Sequence, residues 1–134
     1  MRIRRPLSSR DRDAGVRRIL VATDRSETAE NAVAFAEEMA RRYEAELVVL
    51  QVLVPDEGRR GEPGSERGGT GRTRVVVNSD PAKAIVDAAR DEDADVVVVG
   101  NVGVRSRKRF LVGNVPSAVA HAAPCTVVLV DTSD

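Results

Sequence analysis

Apolar residues in this chain gather into short unbroken blocks, and between the blocks they recur at spacings of three and four. The alternation predicts strands and helices in turn. Ile19-Leu20-Val21-Ala22, ending at Thr23-Asp24, is a short buried strand. Ser26 then suits a helix cap, and Glu27 and Glu30 sit where a carboxylate meets the positive end of the helix dipole. That helix is predicted to run to about Tyr43, burying Ala29, Ala32, Val33, Ala36, Met39, Ala40 and Tyr43, with Arg41 and Arg42 at its carboxyl end. A second strand covers Leu47–Val54 and is stopped by Pro55. Periodicity then vanishes over residues 55–72, where glycines at 58, 61, 64, 68, 69 and 71 predict a loop rather than a helix. Arg74–Asn78 is the third strand. Asp80 and Pro81 make a strong helix start, an aspartate cap followed by proline in the first helical position. Ala82, Ile85, Val86 and Ala89 form its buried stripe, and the helix is expected to end near Asp93. Asp95–Val99 is apolar on both faces, as a central parallel strand is. After a loop from Gly100 to Val112, Asn114 caps a last helix bearing Val115, Ala118, Val119, Ala122 and Ala123. Pro124 ends it, and Thr126–Val130 is the fifth strand.

Strands alternating with helices predict an α/β fold: a single five-stranded parallel sheet flanked by helices, open and doubly wound. The domain is expected to span residues 18–131, behind a charged arm at 1–17 and before a short tail at 132–134. Neither the arm nor the glycine-rich stretch is expected to join the sheet. Ligands of such sheets lie beyond the carboxyl ends of the strands, where the strand order reverses. Two loops therefore compete for the site: Thr23–Ser26 and Gly100–Asn114.

Composition narrows the function classes. At 134 residues with 42% apolar side chains the chain has room for one domain with a core. Twenty-one basic residues balance 21 acidic ones, which disfavours a general nucleic-acid binder. Seven arginines within residues 1–18, against Asp11 and Asp13, leave the remainder slightly acidic. Aromatic residues are confined to Phe35, Tyr43 and Phe110, so bases have no stacking platform. One cysteine, Cys125, forms no internal disulfide, and with His121 as the one histidine no zinc cluster is possible. The longest apolar runs fall well short of the ~20 residues that span a bilayer, and no secretory signal follows the basic arm. A cytoplasmic location, with neither membrane nor nucleic acid as partner, is the expectation. His121, Cys125 and the acidic run Asp91-Glu92-Asp93-Asp95 are expected to be structural, the last as a solvated helix end.

The loop after the fourth strand carries the chemistry. Gly100-Asn101-Val102-Gly103 is followed by nine residues and then Gly113-Asn114, and Arg105, Arg107, Lys108 and Arg109 lie between. Glycines allow close backbone approach, and amides at a helix start bind anions, so the loop suits a phosphate cradle. The same residues also suit a plain turn, an ordinary asparagine cap and a solvated basic surface.

Ile19–Glu30 resembles the opening of a universal stress protein, and Asp95–Val130 resembles its closing half. The likeness includes the G-x₂-G-x₉-G-(S/T) nucleotide motif and the Ala-Pro-Cys lead into the last strand. It covers about residues 18–131 apart from the middle loop. The resemblance implies an adenine-nucleotide-binding regulatory domain of the stress response, ATP being the expected ligand, with or without magnesium. Carried over by position, it implies Ala22, Thr23 and Asp24 after the first strand, and Val52 beside the adenine. It further implies Val99, Gly100 and Gly103 at the fourth strand's end, Arg105 within the loop, and Gly113, Asn114 and Val115 at the phosphate-binding turn.

The chain departs from the family pattern at several points. Asn114 replaces the motif's hydroxyl residue, Arg25 stands where glycine is common, and Glu44 replaces a frequent helix-ending glycine. The long helix usual between the second and third strands is replaced by the glycine-rich loop. An alternative function follows: a dimeric interaction module of the same fold that does not bind nucleotide. Catalysis is not expected beyond slow, incidental ATP hydrolysis, since the sequence GxxxxGK(S/T) is absent. A homodimer through Thr126–Val130 is expected, because this last strand is apolar and lacks the charges that blunt an exposed edge. A further protein partner is left unspecified.

Overall fold

The computed structural model describes residues 15–24, 29–53, 55, 71–100 and 115–131. They form β1 (Arg18–Thr23), α1 (Ala29–Tyr43), β2 (Glu46–Leu53), β3 (Arg72–Val77), α2 (Pro81–Glu92), β4 (Val96–Gly100), α3 (Val115–Ala122) and β5 (Thr126–Val130). All five strands are parallel, in the order β3-β2-β1-β4-β5. The predicted α/β sheet is therefore present.

Alternation along the strands builds two cores. Ile19 and Val21 of β1, Leu47 and Val49 of β2, and Val96 and Val98 of β4 meet Ala32, Val33, Ala36 and Ala40 of α1. On the opposite face Leu20, Val48, Leu50, Val97 and Val99 meet Ile85, Ala88 and Ala89 of α2 and Val119 of α3. β1 and β4 are thus covered on both sides, and Leu20, Val21, Val97 and Val98 have no solvent exposure. Each such side chain contributes about 1.5–3 kcal/mol relative to an exposed one.

Local sequence sets the helix ends. Asp80 caps α2 by accepting from the Lys83 N–H at 3.2 Å, and its own N–H donates to Asn78 Oδ1 at 2.8 Å. α1 and α2 finish alike: Ala45 N–H donates to Ala40 C=O, and Ala94 N–H to Ala89 C=O. The residue before each of these donors is left-handed, Glu44 at φ 57° and Asp93 at φ 55°. Glycine is the usual occupant of this position, and both residues here are acidic.

Several sequence-based boundaries and faces require correction. β3 begins at Arg72 rather than Arg74 and ends at Val77, and Gly100 belongs to β4 rather than to the following loop. Ser26, the expected cap of α1, lies outside the described residues, as does Val54. Tyr43 is 53% exposed, because it sits at the helix end, and Met39 is half-buried. On α3 only Pro116 and Val119 are buried, while Ala118 and Ala122 face solvent. This eight-residue helix lies beside an edge strand, so one turn of contact suffices.

The acidic run before β4 is also not simply solvated. The side chain of Glu92 is 12% exposed; it accepts from Arg72 Nη2 at 2.8 Å and Arg74 Nη1 at 2.9 Å. Arg72 also reaches Glu46, which accepts from Arg18 Nε at 2.9 Å, and Arg74 reaches Asp91. Asp95 accepts from the backbone N–H groups of Arg17 and Arg18. Charges thus tie the amino ends of β1, β2 and β3 to the end of α2.

Candidate functional site

From β1 the chain proceeds outward to β2 and β3, whereas β4 is followed by β5 on the other side. The strand order reverses between β1 and β4, and their carboxyl ends bound the crevice where ligands of open α/β sheets bind. β1 and β4 are directly paired, with Val21 opposite Val98.

Seven of the sequence-predicted site residues are described, and all lie at this edge. Ala22 and Thr23 close β1 and Asp24 follows it; Val99 and Gly100 close β4; Val52 lies next to the end of β2; and Val115 opens α3. Ala22 and Val99 are fully buried and Val52 is 3% exposed; Val115 packs against the cluster that contains all three. The edge is therefore backed by a core of small and β-branched side chains, with half-buried Asp24 as its carboxylate. Gly100 pairs with Val130 of β5. A carboxylate at such an edge can accept hydrogen bonds from the polar substituents of a ligand. Gly103, Arg105, Gly113 and Asn114, the expected phosphate side, lie outside the described residues. Among the described residues no three His, Cys, Asp or Glu side chains converge on a metal-sized position, and no helix is long and apolar enough to cross a membrane.

One residue at this edge escaped the sequence reading. Gln51 is 4% exposed within β2 and stands opposite Thr23 of β1. Its signal was a lone amide inside Leu47–Val54, an otherwise apolar strand.

The universal stress protein family model matches residues 15–62 and 56–131. The chain belongs to the universal stress protein family. A universal stress protein of Thermus aquaticus is 30% identical over 132 residues, covering 84% of this chain and 96% of the relative. One from Methanothermobacter thermautotrophicus is 40% identical over 73 residues, about half (49%) of its own length. Among solved structures, a universal stress protein in complex with cAMP is 28% identical with a TM-score of 0.67, covering 88% of this chain and 98% of the other. The Archaeoglobus fulgidus universal stress protein in complex with dAMP is 25% identical with a TM-score of 0.60, covering 84% and 96%. Membership accounts for the parallel sheet and for the match on both sides of the glycine-rich stretch.

Proposed function

We propose that this universal stress protein is an adenine-nucleotide-binding regulatory domain of the stress response, with ATP as its ligand. One observation carries the reading. Ala22, Val52, Val99 and Val115, gathered from four separate elements, belong to one buried apolar cluster beneath the carboxyl ends of the strands, next to the point where the strand order reverses. Two relatives of the same fold hold adenine nucleotides, cAMP in one and dAMP in the other. In this reading the adenine lies by the strand ends that carry Ala22 and Val52, beside Asp24, and the phosphates are bound by Gly103, Arg105, Gly113 and Asn114. Magnesium, where present, comes with the phosphates. The domain signals by occupancy rather than by turnover, and works in the cytoplasm. Titration calorimetry with ATP and Mg²⁺ tests this: saturable heat is expected, and none at millimolar nucleotide would sink the reading.

The same domain is proposed to act as a two-fold homodimer through Thr126–Val130. β5 is an edge strand, and Leu129 is 49% exposed on it. The alternative, a module that pairs without nucleotide, draws support from Asn114 in the motif's hydroxyl position. Calorimetry separates the two, since that module gives no heat.

A further inference from the structure

Among the described residues two polar side chains are buried, Thr23 at 3% and Gln51 at 4% exposure. They face each other in register across β1 and β2. Alternation puts both on the α1 side of the sheet, following Ile19 and Val21 on one strand and Leu47 and Val49 on the other. Ala22 and Val52 belong to the opposite cluster. Thr23, itself an expected site residue, thus points away from its neighbour Ala22 and directly precedes Asp24, and Gln51 points away from Val52, which follows it.

Stability does not account for an amide here. A leucine would fill similar space beneath α1 without the penalty of desolvating a polar group. What a buried amide adds is direction, because its donors and acceptors must be met at fixed angles, whereas methyl groups tolerate small displacements. Neither Thr23 nor Gln51 lacks a partner. The other buried residues of this face are apolar, so the pair's position at the site edge is its distinguishing property.

We propose that Gln51, opposite Thr23, is a positioning residue: a polar brace behind the sheet that fixes the carboxyl ends of β1 and β2, and so sets Asp24 and Val52 relative to one another. Its ligand rests on the nucleotide reading given above; its geometry does not.

Gln51→Leu and Gln51→Met in the full chain test the brace by three measurements. Thermal unfolding should show a Tm at or above that of the wild type. ATP binding, followed by calorimetry, should weaken about tenfold as the strand ends lose their mutual alignment. In nucleotide-free protein, amide hydrogen exchange at Asp24 and Val52 should accelerate roughly tenfold while Leu20 and Val48 keep wild-type rates. A lowered Tm with faster exchange throughout β1 and β2, or failure of both variants to fold, marks a purely structural role and overturns the proposal. So does unchanged exchange at Asp24 and Val52. Wild-type protein that gives no heat with ATP refutes the nucleotide reading instead, and the exchange measurement still decides the brace.

Discussion

Glu92 holds one of the less exposed charges of the described chain, and its surroundings dictate its titration. The hydrogen bond from Arg72 lowers its pKa most, burial opposes that, and Arg74 lowers it further; the same contact raises Arg72. A carboxyl depressed by folding stabilises the protein above its unfolded value, near 4.5, and loses that contribution as pH falls through the folded value. Glu92→Gln should therefore lower stability at pH 7 by about 1–2 kcal/mol, discounted for the exposed arginine partners. The gap between variant and wild type should narrow as pH falls below about 4.5, as urea midpoints at several pH values would reveal; a gap that does not narrow with falling pH would rule out the ion pairs as its source. Glu44 offers the opposite sign. Its φ of 57° strains a residue with a Cβ, and no side-chain bond is needed for the Ala45-to-Ala40 closure. Glu44→Gly should raise stability by about 1 kcal/mol, seen as a higher Tm, while nucleotide affinity stays unchanged.

Elements with strict apolar periodicity were legible from the chain alone. β1, β2, β4 and α2 appear within one residue of their predicted limits, because burial on both faces, or a cap as clear as Asp80-Pro81, leaves little choice. The ends of β3 were less legible. Pairing with β2 recruits Arg72 and Thr73, opposite Val48 and Val49, and their value lies in ion pairs and ladder bonds that hydropathy does not register. For the site, the alternation of strands and helices pointed to the carboxyl ends of the strands, whereas Gln51 was hidden because one amide does not disturb an apolar block. Entry into β3 is tight. A Cβ on Gly71 would lie 3.0 Å from Leu47 O and 3.1 Å from Leu47 Cδ2. Gly71→Val should thus destabilise by about 1–3 kcal/mol, with amide protection lost first in β3. Protection lost evenly over all strands would mean that β3 does not open separately.

At the scale of the whole molecule the two sheet edges differ. β5 is the proposed dimer seam, so Leu129→Pro, which removes a ladder donor, should leave a monomer by light scattering. A wild-type mass of one chain at micromolar concentration excludes that dimer. At the far edge, Val75 and Val77 stand opposite Gln51 and Leu53, yet they are 38% and 62% exposed. β3 is held chiefly by its ladder with β2 and by Arg72 and Arg74 at its amino end. That distribution of forces makes the molecule polar in its response to ionic strength. The strand ends that carry the candidate nucleotide surface rest on buried valine, leucine and alanine, which salt scarcely weakens, whereas their opposite ends rest on partly exposed charges that molar salt screens to within ~3 Å. In concentrated sodium chloride the chain should loosen from the end remote from the candidate site, with faster exchange at Arg72 and Thr73 before any at Ala22 or Val99. A cell that accumulates salt under osmotic stress would thus alter one end of this protein while leaving the candidate site intact.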